Sequence, residues 1–382
     1  MIKIFILGQE IDYIKVEAHR DMDNLCGTFS FETSVNAVDR YSITLGDLVT
    51  IEVNSDIFLR AYIEQTTDNL DSNTHNIFFS GREINCDLVD SSFIASNDSL
   101  GFYEAKSPNI ISIAKDLIAI SGLSYSVFNQ TGLDDSALTV NNNQDFLQNG
   151  QSIFNYLKNL SKQLKVLLNS DGLGNLVITR SVEIGPTLVD KLLQRRLNFP
   201  KQTNIKSSSL SLNHSNLYAK YRVKGIVDAT SELAPEDFNN VSDIVGDEYS
   251  FGDARTQLTT DKRFNKEFSI RKNRISLMTD YYVQSQKDAT ERAKWMANLS
   301  LSRALDYQIV LASHDSSYKL NTMVKVIDDM IRPKINGYYL IKGISINQSY
   351  SGGVGSSETQ LQLTFPKAYK AQVEMEANSM FI

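Results

Sequence analysis

The chain has 382 residues, 42% of them hydrophobic, with a net charge of −7 and a pI of about 5.3. That length exceeds one ordinary core and predicts two to four domains. The acidic balance excludes a surface that holds nucleic acid, which needs clustered Lys and Arg. It leaves open a channel that DNA crosses without being held, where an acidic wall would repel phosphate.

Two cysteines, Cys26 and Cys86, cannot build a disulfide framework or a four-thiolate metal site. Each stands in a strand-like run and reads as a small core residue. Met1 to Gly8 is too short and too soon broken for a signal peptide, and no apolar run approaches the ~18 residues that span a bilayer. The expectation is a soluble chain, cytosolic when made, with no membrane insertion.

The opening alternates in the manner of strands: Ile14–Ala18, Thr28–Thr33, Leu48–Val53, Phe58–Glu64 and Asn76–Ser80, separated by polar turns such as Asp21-Met22-Asp23-Asn24. Five short strands predict a small barrel or sandwich. Ser107-Pro108 then reads as a helix start, with Ile110, Ile111, Ala114, Leu117 and Ile118 at helical spacing and Gly122 as the stop. A second helix is predicted over 151–165, followed by a hairpin turning at Asp171-Gly172-Leu173-Gly174. Strands are expected at 207–213 and 218–226. Residues 228–262 lose periodicity and collect acidic side chains, predicting a long exposed loop. A helix over 288–305 and strands at 308–312, 323–328, 338–347 and 359–365 complete the chain, and the residues from Lys367 read as an amphipathic tail.

Four stretches repeat in the same order. Asn24–Phe31 matches Asn216–Val223, Asp47–Ile51 matches Thr322–Val326, Leu59–Glu64 matches Leu340–Ser345, and Asn76–Ser80 matches Gln360–Thr364. The predicted fold class is therefore a mixed β-rich α+β chain, with duplicated small antiparallel β-barrels and an intervening α/β domain. The expected division is a first barrel at 1–92, the α/β domain at 93–190, a second barrel at 191–366 with an insertion at about 228–318, and a tail at 367–382. Three such chains around an axis would present six barrels, sixfold in appearance and threefold in fact.

The stretches Val16–Glu32, Gly46-Asp47-Leu48-Val49-Thr50-Ile51, Ser80-Gly81-Arg82-Glu83, Asp87–Asp90, Gln151–Arg180 and Asn321–Pro366, with its Ser351-Gly352-Gly353 turn, resemble the baseplate hub proteins of Mu-like contractile phages. The same superfamily includes the hub part of type VI secretion spike proteins. The resemblance implies a homotrimer in the virion tail baseplate, assembled in the bacterial host cytoplasm. It also implies contacts with the tail tube or a tube-initiator protein, with the central spike and with other baseplate proteins. DNA would pass through a central channel with no sequence-specific binding.

The residues carry no recognisable catalytic, cofactor or metal motif, and the expectation is a non-enzyme. His19, His75, His214 and His314 lack partners at helical ligand spacing. No Gly-x-Ser-x-Gly elbow is present. Gly172-Leu173-Gly174 and Gly352–Gly355 read as turns, not phosphate cradles. Glycosidase chemistry needs two carboxyls facing across a cleft, whereas Asp134-Asp135, Asp87 with Asp90, and Asp328-Asp329 read as solvated charges. Lys191, Arg195 and Arg196 form a small basic spot, and Trp295 reads as a core or interface anchor. The alternatives carried forward are a tail-tip cell-wall-degrading enzyme and a host-glycan-binding module.

Overall fold

The computed structural model describes the chain apart from residues 73–74, 96–100, 141–145, 181–187, 214, 216, 219, 226–243, 246–273, 281–285, 333, 352–353 and 366–382. His214, the turn glycines at 352–353, nearly all of the acidic stretch at 228–262 and the tail lie outside the described residues.

The chain opens with β1 (Ile2–Ile6), β2 (Gln9–Ile11), β3 (Lys15–Asp21) and β4 (Thr28–Ser34), followed by α1 (Val35–Tyr41). Next come β5 (Leu48–Val53), β6 (Asp56–Leu70), β7 (His75–Glu83) and α2 (Cys86–Asp90). The alternation read from the sequence is real: Val16 and Ala18, Phe29 and Phe31, Val49 and Ile51, and Leu59, Ala61 and Ile63 are all buried on one face. β1 and β2 were not anticipated as strands, though Ile2, Ile4 and Ile6 are buried.

The middle of the chain holds β8 (Phe102–Tyr103), α3 (Ile110–Ile120), β9 (Val127–Gln130), β10 (Leu147–Gln148), α4 (Ile153–Leu164), β11 (Leu167–Ser170) and β12 (Leu176–Thr179). Asn109 caps α3, its Oδ1 accepting from the N–H groups of Ile111 (2.9 Å) and Ser112 (3.1 Å), so the helix begins two residues after the expected Ser-Pro start. Gly122 follows it with φ of 71°, as a stop requires. α3 and α4 pack with a three-stranded sheet ordered β11-β12-β9 around their own core, which includes Ile110, Leu117, Leu157 and Leu176.

The last part comprises β13 (Leu188–Arg195), which straddles the expected boundary at residue 190, β14 (Ile205–Leu212), β15 (Lys220–Gly225), β16 (Ile244–Val245), β17 (Ile275–Asp280), α5 (Gln286–Ala304), β18 (Leu305–Leu311), β19 (Met323–Asp328), β20 (Ile335–Ser351) and β21 (Val354–Thr364). β15, β16 and β17 form a small separate sheet, and Tyr221 and Val223 of β15 pack with Ala289, Ala293 and Ala297 of α5.

β8 and β10 pair with each other, and the remaining strands join one large sheet. Its path is β14-β18-β21-β20-β3-β4-β7-β6-β5-β1-β2, with β19 pairing β20 and β13 pairing β19. Two runs in it follow the same order: β3-β4-β7-β6-β5-β1 and β14-β18-β21-β20-β19-β13. Neighbours are antiparallel throughout except that β13 pairs β19 in parallel where β1 pairs β5 antiparallel. The runs agree in detail. Each long strand carries a bulge that skips one residue, between Ile63 and Gln65 in β6 and between Ile341 and Gly343 in β20. At each bulge the preceding isoleucine accepts from a left-handed residue, Gly46 N to Ile63 O at 2.7 Å and Asn321 N to Ile341 O at 3.0 Å. It donates to the next residue along, Ile63 N to Asp47 O at 3.0 Å and Ile341 N to Thr322 O at 2.9 Å.

These anchors correct the pairings read from the sequence. Asp47–Ile51 and Thr322–Val326 correspond in register, since Leu48 opposes Tyr62 and Met323 opposes Leu340. Tyr62, not Leu59, therefore corresponds to Leu340, and Ser80 corresponds to Gln362 rather than Thr364. Asn216–Val223 is not the counterpart of Asn24–Phe31: Lys220–Val223 lies in the separate small sheet, and Leu305–Leu311, inside the expected insertion, takes the place of Thr28–Ser34. Local alternation repeats every two residues, so it reveals a strand without fixing its register or partner.

Candidate functional site

The large sheet has an apolar face and a polar one. Strand pairing aligns the side chains of the polar face, Val310 among them, into rows that cross six or seven strands. One row runs Ser207, Val310, Gln360, Ser345, His19, Thr28 and Arg82; the next carries Glu358, Asn347, Glu17, Ser30, Ser80 and Gln65. The opposite face of the same strands supplies Ala18, Phe29, Ile309, Ile344, Ile346 and Leu361 to one continuous apolar core that spans both runs. Hydroxyls and amides dominate the polar face, and its charges are held by neighbours. Glu17 pairs with Lys15 at 2.8 Å and accepts from Asn347 at 3.3 Å. Glu358 pairs with Lys206, and Asp306 accepts from Gln362 at 2.8 Å. A hollow of 340 Å³ lies where the runs meet, lined by Glu17, His19, Ser345 and Glu358 among others.

The histidines serve separate local purposes. His19 contacts Ser345 Oγ through Nδ1 (2.8 Å) and Asp21 through Nε2 (3.0 Å) on the polar face. His75 Nε2 meets Asp68 at 2.6 Å. His314 is 9% exposed, with Nδ1 3.0 Å from Thr359 Oγ1. Burial, aided by the nearby N-terminal ammonium, lowers its pKa to about 4. No three metal-ligating side chains cluster among the described residues.

The carboxylate pairs do not face each other across a cleft. Asp90 is held with Glu64 by the Arg82 guanidinium, at 2.6 Å to each carboxylate, which lowers the Asp90 pKa. Asp87 lies 3.4 Å from the Tyr125 hydroxyl. Asp135 accepts from Asn129 Nδ2 at 2.8 Å. Asp328 is not a solvated charge at all: it is 0% exposed. Its Oδ2 accepts from Ser208 (2.6 Å) and Tyr307 (3.0 Å), and its Oδ1 from the N–H groups of Met330 (3.0 Å) and Ile331 (3.3 Å), tying three strands of the second run together.

The basic spot does not converge on one point. Lys191 pairs with Asp315, Arg195 donates to Ser208 Oγ at 3.3 Å, and the Arg196 guanidinium lies 5.9 Å from the centre of the Phe199 ring. On α5, Trp295 is only half-buried and stacks under Arg292, 4.4 Å from the ring centroid. Both cysteines are free, and burial raises the pKa of each, that of Cys86 to about 11.

A buried network that sequence reasoning missed fastens the first run to the α/β region. Glu83 is 0% exposed and accepts from Gly27 N–H (3.0 Å) and from the Ser170 hydroxyl. Arg20 donates to Ser170 O (2.7 Å) and Phe58 O (3.4 Å). Burial raises the Glu83 pKa, against the pull of Arg20. The turn at Gly172 is built for this contact: Arg60 N donates to Gly172 O at 2.8 Å, and a Cβ there would lie 2.4 Å from Phe58 O.

The sequence matches no family model and no curated protein. Solved structures do match over nearly the whole chain. The 43 kDa tail protein of prophage MuSo2 from Shewanella oneidensis shares 20% identity, covering 97% of this chain and 99% of that one at a TM-score of 0.69. A tail protein from Neisseria meningitidis MC58 shares 14% identity, covering 96% and 98% at a TM-score of 0.72. The E. coli c3393 protein, a type VI secretion component described as structurally similar to phage tail proteins, shares 10% identity over 95% of this chain and 76% of that one, at a TM-score of 0.50. The chain therefore has the fold of prophage tail proteins, a fold shared with a component of the type VI secretion system.

Proposed function

We propose that this chain is a non-enzymatic hub subunit of a contractile-tail baseplate. Three copies close a ring that joins a six-fold tail tube to a three-fold spike, and the ring leaves a central channel for DNA ejection. The observation that carries the reading is the repeated strand order within one sheet, with a polar face continuous across the junction. We read the two runs as a duplicated β-barrel unit, with residues 93–180 and the small sheet around α5 as additions to it. Two similar units per chain give a trimer six similar positions, which suits a part placed between sixfold and threefold partners. The partners in this reading are further copies of the chain, the tube or its initiator, the spike and neighbouring baseplate proteins.

The polar face suits a channel lining because its carboxylates are held by neighbouring lysines and amides, its Arg82 is held between Glu64 and Asp90, and hydroxyl and amide side chains make up most of the rest. Light scattering after size exclusion, with electron microscopy of the same fraction, tests the proposal. The expected result is about three times the 42.9 kDa chain mass and a ring with a central opening. A single-chain mass at micromolar concentration would refute it.

A further inference from the structure

One serine of the polar face is held by groups that meet only through strand pairing. His19 and Asp21 stand two residues apart on β3, so their side chains share a face. Ser345 of β20 opposes His19 across the junction of the two runs. The three side chains touch in series: Asp21 Oδ2 lies 3.0 Å from His19 Nε2, and His19 Nδ1 lies 2.8 Å from Ser345 Oγ. Asp21 is fixed as a carboxylate. Its Oδ1 accepts from the N–H groups of Asp23 and Asn24, both at 2.8 Å, and its Oδ2 accepts from Asn24 Nδ2 at 2.9 Å. Burial pushes the Asp21 pKa up, but the bonds from His19 and Asn24 outweigh it and hold it below the usual carboxylate value.

The proton order follows from that fixed end. A carboxylate only accepts, so the His19 Nε2 facing it carries the ring proton. In the neutral ring Nδ1 is then an acceptor, and the hydrogen it takes is that of the Ser345 hydroxyl. The serine proton points into the imidazole, and the oxygen keeps its lone pairs for an electrophile. Nucleophile, base and orienting carboxylate therefore stand in the order that activates a serine. The ring nitrogens are used in the opposite sense from the Ser-His-Asp hydrolases, where Nδ1 faces the carboxylate, but the proton path is the same. The setting admits a reagent. Ser345 is partly exposed, and the His19 side chain is 40% exposed. Both line the 340 Å³ hollow. Gln360 opposes Ser345 on the side away from His19. Its amide donates one N–H to Gln308 at 2.7 Å and has a second to offer an acyl oxygen. Glu17 and Glu358, in the same wall, disfavour an anionic donor.

We propose that Ser345 is an acylation site, at which His19 acts as general base and the acyl donor is a small, neutral, activated ester. The bond from Ser345 Oγ to the acyl carbon forms as the ester C–O bond breaks. The hydroxyl proton passes to His19 Nδ1 and on to solvent, and the alcohol portion of the ester leaves as its anion. The product is one acylated serine per chain. This is a modification rather than turnover, and it is independent of the hub reading, since ring assembly and acylation can each fail alone.

The probe is p-nitrophenyl acetate, with p-nitrophenolate release followed by absorbance and the acetyl group placed by peptide mass spectrometry. Wild-type protein should acquire acetyl at Ser345, and far more slowly at Ser30, which lines the same hollow one row away. General-base assistance contributes about 10²–10⁴ in rate, so His19→Ala should slow acetylation of Ser345 at least about 100-fold. Ser345→Ala should remove the fast phase of p-nitrophenolate release. Asp21 acts through His19 and is a positioning residue. Asp21→Asn keeps an oxygen for the turn N–H groups but presents an amide N–H to the ring, which reverses the tautomer. The rate should fall while circular dichroism stays unchanged, and Asp21→Glu should restore part of it. Wild-type Ser345 acetylated no faster than Ser30 overturns the proposal without any variant having to fold. A folded His19→Ala protein acetylated at the wild-type rate overturns it as well.

Discussion

Asp328→Ala should be among the most destabilising single changes in the second run. The carboxylate is 0% exposed and takes four hydrogen bonds. Removing it leaves the Tyr307 hydroxyl, on a side chain itself 0% exposed, without that acceptor. The turn N–H groups of Met330 and Ile331 lie nearer water, and Ser208 can turn outward. A buried donor left unsatisfied costs about 1–3 kcal/mol, and bonds to an ionised acceptor contribute about 1.5–3 kcal/mol each. Allowing water to recover the turn and the serine, the loss should be about 3–5 kcal/mol. Urea unfolding followed by tyrosine fluorescence reads it as a shift in midpoint. Asp329→Ala, which removes the same charge one residue later, is the control and should cost less than about 1 kcal/mol. If the two variants unfold together, Asp328 is not the anchor described.

Arg20→Met should cost about 3 kcal/mol at pH 8 by leaving Glu83 buried without its cation, and less as the pH is lowered, because burial already raises the Glu83 pKa and its protonation relieves the charge; a loss that does not change with pH would contradict the network. His314 titrates near 4 when folded against about 6.5 when unfolded. Between those values the unfolded chain binds the extra proton, so stability is complete above about pH 6.5 and is lost as pH falls toward 4. The effect should be about 2 kcal/mol after discounting for partial exposure, and His314→Gln should flatten that part of the urea-midpoint profile. Gly81→Ala places a Cβ 1.8 Å from the Tyr62 carbonyl oxygen, so soluble yield and melting temperature should both collapse; a normally melting protein would contradict the β6–β7 register.

The strands of the first run were legible because each buries one face, and a period of two survives in sequence as alternation. β1 was passed over because five residues near a terminus carry too little pattern. β13 was hidden by Lys191 and Arg195, which drew attention as a basic spot although Leu193 between them is buried. The partners of these strands were not legible. His19 and Ser345 touch across 326 positions of sequence, and no local pattern records that. The same distance concealed the polar face: each strand showed its own polar side, but only the pairing joins those sides into rows. Asp328 and Glu83 were missed for a related reason. A carboxylate beside turn residues looks solvated until the strands that bury it are in place.

A channel lining must let a polyanion pass, and the polar face can be tested for that property directly. Lysine and arginine in a lining would neutralise phosphates and release counterions, and each such contact strengthens binding. A dense acidic wall would oppose entry instead. Here Glu17 and Glu358 flank the hollow, each held by one lysine, amid serine, threonine and amide side chains. Glu17→Lys with Glu358→Lys would free two lysines and add two more on every chain, so a trimer would carry a basic belt. Its binding to duplex DNA, followed by fluorescence anisotropy, should become measurable at low salt. It should weaken linearly in log–log form as salt rises, because the attraction is counterion release alone. Wild-type protein should show no binding under the same conditions. Tight, salt-dependent binding by the wild type would mean that this face holds nucleic acid rather than letting it pass.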